Sequence, residues 1–250
     1  MENFKVNTRL DNRTFIVTES YRNLYNKLKG LKTSRGRIIH VISAPGTGKS
    51  SNIYAAMTEL DLNFYDLKLD LKDPDAGAGK LFNQIYSDMK TALKSKSKTE
   101  LYQILAGYDA LLIADKFHDT HLINNKAIGY SLWTKNKGIS SFKFYFLCVN
   151  EYIRNRKYYK GINLVFQTAW HVKIGKRKYD LFTDFGLFSR FCVGLMKLMF
   201  EVVEIKYTNQ ETIKIVQAYM NTDKKTIEYY IDKYGRKPRL ICQAIDDEQH

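Results

Sequence analysis

Cysteine and proline are scarce in this chain, and it has no long hydrophobic run. Its 3 cysteines cannot all pair with one another in disulfides, and their wide spacing argues against a zinc site. The 3 prolines and 14 glycines exclude collagen-like and low-complexity architectures. The most apolar stretch, Phe191 to Val203, contains Lys197 and Glu201 and is shorter than the roughly 20 apolar residues that cross a bilayer. We therefore expect a cytoplasmic protein with reduced thiols and no membrane partner.

The rest of the composition is that of a folded protein, with 44% hydrophobic and 26% charged residues. A length of 250 residues suits one sizeable domain, or a main domain with a small appendage. Lys and Arg number 40 against 26 Asp and Glu, which gives a net charge of +14. This excess favours nucleic acid or an anionic surface as partner. The alternative explanation is a generally basic proteome, or a host that needs Lys-rich proteins for solubility.

Short apolar runs alternate with helical patterns, which is typical of an α/β fold. Strands are predicted at residues 37–43, 63–71, 109–115, 162–169 and 200–207. Helices are predicted at residues 21–31, 48–60 and 122–133, and one long helix or a helix pair at 81–105. The stretch 142–149 fits either a strand or the start of a helix. Only helices are predicted after residue 210, so we expect a core at 1–207 and a small helical domain at 208–250.

The string SAPGTGKS, between a predicted strand and a predicted helix, carries a phosphate-binding pattern. The pattern asks for Gly, four residues and then Gly-Lys-Ser/Thr, and only its first Gly is replaced, by Ser43. Gly46 and Gly48 let backbone N–H groups turn around a phosphate, at the positive end of a helix dipole. Lys49 supplies charge to the β- and γ-phosphates, and the Ser50 hydroxyl is a ligand for Mg²⁺. The predicted nucleotide-binding residues here are Ala44, Pro45, Gly46, Thr47, Gly48, Lys49, Ser50 and Ser51.

The PGTGKS string resembles the Walker A loop of AAA+ and related P-loop ATPases. In that family a core strand ends in Asp, which holds the water shell of Mg²⁺, and the string LLIAD assigns this role to Asp115. Lys116 follows where the family has a Glu that polarises the attacking water, and Asp119 is the candidate substitute. The resemblance implies a three-layer sandwich with a mainly parallel sheet, and ATP and Mg²⁺ as cofactors. It also implies catalytic roles for Lys49 and Asp115, with Ser50 and Asp115 at the metal.

A sensor of the γ-phosphate is expected at the tip of a core strand. If FKFYFLCV is that strand, Asn150 resembles the sensor-1 residue of AAA+ proteins. If FKFYFLCV is helical, INLVF is the strand, and Gln167 or Thr168 takes the role. The second arrangement resembles FtsK–HerA and viral packaging ATPases, in which a basic helix, a Gly and an apolar strand end in Gln. We favour Gln167 because Gly161 gives the preceding helix a natural end.

Two arginines complete the resemblance. Arg190, in the string SRF, resembles the arginine finger that reaches a neighbour's nucleotide in AAA+ rings, which implies a homo-oligomer. The string YGRKPRL is similar to the Gly-x-Pro-Arg signature of lid domains in initiator-type and STAND-type ATPases. Arg239 would then be the sensor-2 residue, although one extra residue separates Gly235 from Pro238. The segment 208–250 is accordingly interpreted as a lid.

Lysine and arginine alternate with tyrosine in YIRNRKYYK, at 152–160, and KIGKRKY, at 173–179. Such patterns pair phosphate contacts with aromatic stacking on bases, and they predict DNA binding without sequence specificity. The alternative is a solvated basic face whose tyrosines pack inward.

The sequence thus predicts an ATP-hydrolysing enzyme that acts on DNA, either in replication initiation and loading or in translocation and packaging, such as a viral, plasmid or archaeal genome encodes. A nucleotide-dependent switch with weak hydrolysis, acting on a protein partner, is the alternative that Lys116 favours.

Overall fold

The computed structural model describes residues 4–5, 14–44, 46–67, 77–113, 132–133, 138–168, 171–174 and 177–249. The helices are α1 (Glu19–Lys29), α2 (Lys49–Glu59), α3 (Ala78–Ala92), α4 (Lys98–Ala106), α5 (Gly138–Arg154), α6 (Arg156–Tyr159), α7 (Leu187–Met199), α8 (Asn209–Tyr219), α9 (Lys224–Tyr234) and α10 (Pro238–Gln249). The strands are β1 (Phe4–Lys5), β2 (Thr14–Phe15), β3 (Ile38–Ile42), β4 (Phe64–Asp66), β5 (Ala110–Ile113), β6 (Leu132–Trp133), β7 (Leu164–Thr168), β8 (His171–Ile174), β9 (Arg177–Asp180) and β10 (Glu201–Glu204). None of the helices described is long and apolar enough to cross a membrane.

The largest sheet has five strands, all parallel, in the order β10-β3-β7-β5-β4. Register pairs Phe64 with Ala110 between β4 and β5, and Ile113 with Phe166 between β5 and β7. Strand β5 is an apolar run with Leu112 fully buried, as parallel strands covered on both faces require. The predicted α/β class with a mainly parallel sheet is therefore confirmed.

The chain divides into two compact units. The loop unit contains α1, the end of β3 with the loop after it, α2, the end of β10, and α8–α10. The larger unit spans residues 30–40 and 62–202. The C-terminal segment is helical, as predicted, and contains three helices, while the proposed domain boundary after residue 207 stays a prediction.

In the loop unit, α1 packs against α2 through an apolar stripe that includes Tyr21, Leu24 and Leu28. Helix α8 begins with a capping box, in which Thr208 and Glu211 each satisfy a backbone N–H of the other. Helices α8, α9 and α10 share a buried cluster of Ile213, Val216, Ile227, Tyr230, Ile231, Ile241 and Ile245. A shared core of this kind gives the C-terminal helices a fixed mutual arrangement.

In the larger unit, α3 packs against α5 and α4 against α6. Their contact is rich in tyrosine and surrounds one buried carboxylate, that of Glu151. Glu151 accepts hydrogen bonds from the Tyr102 hydroxyl, from Lys98 Nζ at 2.6 Å and from Asn155 Nδ2 at 2.6 Å. We call Glu151 with these partners the carboxylate cluster; it satisfies a charge that would be costly to bury alone.

Several sequence predictions need correction or completion. The segment 81–105 forms the helix pair α3 and α4, separated at the lysine-rich bend. Residues 142–149 lie in helix α5, so the strand alternative is wrong; the run is amphipathic and leaves Phe146 71% exposed, which a buried strand would not do. The helix predicted at 122–133 does not reach Trp133, which belongs to strand β6, and residues 122–131 lie outside the described part.

The basic string KIGKRKY contains an element that sequence reasoning missed. Strands β8 and β9 pair antiparallel, with Lys173 opposite Lys178. A lysine-rich strand lacks the apolar alternation by which a strand is recognised in a sequence. Its formation depends on pairing with the neighbouring strand, which the sequence pattern does not show.

Candidate nucleotide-binding site

The predicted phosphate-binding loop joins the end of β3 to the start of α2. Gly46 and Gly48 adopt positive φ angles of 84° and 77°, a conformation that costs glycine little. Among the described residues, only Asp61 and Lys94 have positive φ outside glycine. The backbone at Ser43 therefore does not need the glycine that the sequence pattern asks for.

Short hydrogen bonds close the loop on itself. The hydroxyls of Ser43 and Thr47 bond to each other, and Thr47 Oγ1 donates to the Ala44 carbonyl at 2.8 Å. Lys49 Nζ donates to the Ser43 carbonyl at 2.8 Å, so the side chain reaches back across the loop. Ser43, Thr47 and Lys49 are all buried, and the Ser43 hydroxyl thus stabilises the loop in a way that a glycine would not.

The ammonium of Lys49 is the main charge inside this loop. It is buried at the first residue of α2, where backbone N–H groups have no partners within the helix. A helix N-terminus favours negative charge. The arrangement is therefore suited to an anion with several acceptor oxygens, such as a phosphate.

A second group of residues holds the loop from outside, and sequence reasoning missed it. The Tyr207 hydroxyl donates to the Thr47 carbonyl at 2.7 Å. Asn52 Nδ2 donates to the Gly48 carbonyl at 2.8 Å and to the Tyr207 oxygen at 2.9 Å. Burial raises the pKa of Tyr207, which stays a neutral donor. The one available signal was an Asn on the apolar face of a predicted helix, among Ile53, Ala56 and Met57.

The C-terminal helix α10 contacts the loop directly. The Gly46 carbonyl accepts a hydrogen bond from the Arg239 backbone N–H at 3.1 Å, which satisfies one of the backbone donors in the first turn of α10. A Cβ atom on Gly46 would lie 3.2 Å from Leu240 Cγ, which is a tight contact, and the positive φ of Gly46 also favours glycine. The Arg239 side chain is exposed. The structure thus brings the predicted sensor-2 residue and the phosphate-binding loop together through the backbone.

The structure describes some of the other residues predicted at this site and not others. Ser50 and Ser51 lie half-buried in the first turn of α2, and Ala44 is buried. Pro45, Asp115, Lys116 and Asp119 lie outside the described residues.

The predicted sensor strand is β7, which ends in Gln167 and Thr168. Gln167 is buried, and Thr168 Oγ1 lies 2.8 Å from His40 Nδ1. The His40 ring stacks on Phe166, with 4.8 Å between centroids. Burial lowers the pKa of His40 to about 4, so its ring is neutral near pH 7. Asn150 lies within helix α5, so the condition for its role as a strand-tip sensor is not met.

Arg190 lies exposed in the first turn of α7, within the larger unit. Its neighbour Ser189 is buried; the Ser189 hydroxyl donates to the Leu181 carbonyl at 2.6 Å and accepts from the Phe185 N–H at 2.9 Å. Ser189 therefore fixes the start of the helix, whereas Arg190 points outward. Large apolar side chains are exposed on the same helix, namely Leu187, Phe188, Phe191, Leu195, Leu198 and Met199.

The basic segment 152–160 divides into exposed cations and packed tyrosines. Arg154, Arg156, Lys157 and Lys160 are exposed. Tyr158, in contrast, stacks on Tyr102 at 5.4 Å between centroids, and Tyr159 bonds through its hydroxyl to Tyr86 at 3.2 Å. These two rings are engaged within the protein, as the inward-packing alternative predicts. The side chains of residues 173–179 lie outside the description.

Comparison with known proteins adds no assignment to this geometry. No protein-family model matches the sequence, and no curated protein matches it significantly. Within the described ranges, no group of three or more His, Cys, Asp or Glu side chains is arranged to hold a metal ion.

Proposed function

We propose that this chain is a Mg²⁺-dependent P-loop ATPase of the AAA+ and related type, with a three-layer sandwich core and a helical C-terminal lid. The observation that carries the proposal is the loop itself. Its two glycines have positive φ, and the buried ammonium of Lys49 lies inside it at the N-terminus of α2. A loop of this shape directs backbone N–H groups and one cation at a single small region, which matches the charge of a nucleotide's phosphates.

The strand order supports this fold. Strand β3, which leads into the loop, lies between β7 and β10, whereas β4, its successor in the core, lies at the sheet edge. The chain thus leaves β3 toward one edge of the sheet and later adds β10 on the other side of β3. In open parallel sheets, ligand sites lie at the carboxyl ends of strands where the connections diverge in this way.

The reaction is the transfer of the γ-phosphoryl group of ATP to water. Lys49 and the loop amides hold the β- and γ-phosphates and neutralise charge that develops on their oxygens. Ser50 and Asp115 would hold Mg²⁺, which supplies further positive charge to the same oxygens; a hydroxyl and a carboxylate are the hard donors that this ion prefers. Gln167 at the end of β7 is the proposed sensor of the γ-phosphate, and Arg239 at the start of α10 the proposed lid contact.

DNA is the proposed macromolecular partner, without sequence specificity. The support is the net charge of +14 and the exposed cations on α5 and α6. Because the tyrosines of this segment pack inward, we propose that it binds through phosphate contacts and not through base stacking. Replication loading and DNA translocation are both consistent with such binding.

A homo-oligomer is proposed because Arg190 is exposed beside apolar side chains on α7. Exposed apolar patches on a helix are typical of protein interfaces. In an assembly that covers this face, Arg190 would reach the nucleotide of a neighbouring copy. The competing proposal, a regulatory switch, depends on Lys116, since the residue that activates water in the family is replaced there.

Substitution of Lys49 by Ala tests the proposal. Loss of a charged hydrogen-bond donor should weaken ATP·Mg²⁺ binding by about 10- to 100-fold, measured by titration calorimetry. Lys214→Ala is the matched control, since Lys214 is an exposed lysine of the same unit. Equal ATP affinity in a folded Lys49→Ala protein would contradict the assignment. Turnover that rises with DNA would favour the motor or loader, and tight binding without turnover would favour the switch.

A further inference from the structure

We propose that Tyr207 and Asn52 are positioning residues that hold two peptide groups of the phosphate-binding loop with their N–H bonds directed at the bound phosphate. This inference rests on the proposed function, because it assigns a role at the same site. Neither residue belongs to the loop motif: Tyr207 follows strand β10, and Asn52 lies one turn into α2.

The first peptide group joins Thr47 to Gly48. Its carbonyl is held by the Tyr207 hydroxyl at 2.7 Å. The described peptide bonds are all trans, and in a trans peptide the C=O and N–H bonds point in opposite directions. The Gly48 N–H is therefore directed away from Tyr207.

The second peptide group joins Gly48 to Lys49. Its carbonyl accepts from Asn52 twice, from the backbone N–H at 3.0 Å and from Nδ2 at 2.8 Å. By the same geometry, the Lys49 N–H points outward from the N-terminus of α2. The directions of the Gly48 and Lys49 N–H groups are thus fixed by hydrogen bonds to the carbonyls of the same two peptide groups.

The hydrogen bonds from Tyr207 and Asn52 to the loop, here called the two tethers, form one network, because Asn52 Nδ2 also donates to the Tyr207 oxygen at 2.9 Å. The Asn52 Oδ1 atom is buried and accepts no hydrogen bond from the described part of the chain. Buried acceptors are normally satisfied. The Asn52 amide uses its Nδ2 donors on the Gly48 carbonyl and the Tyr207 oxygen. A role in holding the loop explains why this amide is buried although its acceptor is unpaired.

The need for tethers follows from the glycine. Gly48 adopts φ 77° and ψ 32° without a side chain to restrict it, and glycine loses more conformational freedom on ordering than other residues. External hydrogen bonds supply the order in advance, so that an anion does not have to impose it on binding.

Tyr207 is itself well anchored. The preceding residue, Lys206, is bonded through its backbone to Ser20, which donates to its carbonyl at 2.5 Å and accepts from its N–H at 2.9 Å. The following residue, Thr208, caps α8. A side chain supported on both sides can hold a loop to the accuracy that binding requires.

Tyr207→Phe removes the hydroxyl and keeps the ring. We expect its affinity for ATP·Mg²⁺ and for inorganic pyrophosphate to fall about tenfold, as the loss of one buried hydrogen bond implies. Tyr21→Phe is the matched control: Tyr21 is also buried in the loop unit and donates to Glu59, at the far end of α2 from the loop. That variant should lose stability and keep its affinity within about twofold. Asn52→Ala should resemble Tyr207→Phe, and the double variant should lose less than the sum, because the residues share one network.

A ligand-free measurement separates this inference from the proposed function. The carbonyl ¹³C resonance of Thr47 should move upfield in Tyr207→Phe and stay in place in Tyr21→Phe. Unchanged ATP and pyrophosphate affinity in Tyr207→Phe, with wild type binding both, overturns the positioning role and leaves the function intact. If wild type binds neither ligand, the proposed function fails, and the positioning role fails with it even where the resonance moves.

Discussion

Lys49 and Glu151 are both charged and buried, one in each unit of the chain, and their surroundings differ in kind. Glu151 is neutralised by Lys98 at 2.6 Å and receives further hydrogen bonds from Tyr102 and Asn155. Lys49 lies inside a loop at a helix N-terminus, where its Nζ donates to the Ser43 carbonyl at 2.8 Å. Burial of charge therefore does not by itself mark a functional site. The position in the fold separates the two groups: Glu151 lies among packed helices, whereas Lys49 lies at a helix N-terminus, where phosphates commonly bind.

Among the buried ionisable groups of the larger unit, His40 should change the free energy of unfolding most when the pH is varied. Burial lowers the pKa of His40 to about 4, below the ordinary value near 6.5. The unfolded chain therefore takes up a proton between these values that the folded chain does not. Stability present above pH 6.5 is lost as the pH falls toward 4, by about 3 kcal/mol.

Urea unfolding of wild type and His40→Gln across this pH range measures the effect. Carboxylates titrate in both proteins, so the difference between the two curves isolates His40. Parallel curves would show that His40 ionises alike in the folded and unfolded chains, contrary to the account.

The next effect should come from the carboxylate cluster. Glu151→Gln keeps the shape and removes the charge that Lys98 neutralises, so the free energy of unfolding should fall by about 2 kcal/mol. ATP affinity should not change, because the cluster belongs to the fold and not to the loop. Glu228→Gln is the control, since its exposed pair with Lys224, at 3.5 Å, should contribute under about 0.5 kcal/mol. A loss of ATP affinity in Glu151→Gln would remove the distinction between the units.

The smallest effect on stability should come from Lys49. Lys49→Met replaces a buried ammonium with an apolar chain of similar length, so the free energy of unfolding should change by less than about 1 kcal/mol or rise. Its ATP affinity should nevertheless fall by about 10- to 100-fold, as in Lys49→Ala. A strong destabilisation, measured by urea unfolding, would indicate that Lys49 serves the fold as Glu151 does.

The sequence predicted the loop and the strand and helix that flank it better than the distant contacts that hold the loop, for a physical reason. Gly46, Gly48 and Lys49 carry their conformational and chemical requirements within a few residues, so spacing alone identifies them. The tether from Tyr207 joins residues 160 positions apart, and nothing local to either end announces the contact. The same reason explains why the ambiguity at 142–149 stayed open: exposure of Phe146 depends on what packs beside α5, which a single run of apolar residues does not specify.

The most direct test of the central claim is an amide NMR titration of the full chain with ATP·Mg²⁺. We expect saturable shifts that are largest at the N–H groups of Gly46, Gly48 and Lys49, reproduced by pyrophosphate and not by adenosine. Saturation with ATP that leaves these amides unmoved, or the absence of any saturable shift, would contradict the assignment of this loop as the nucleotide site.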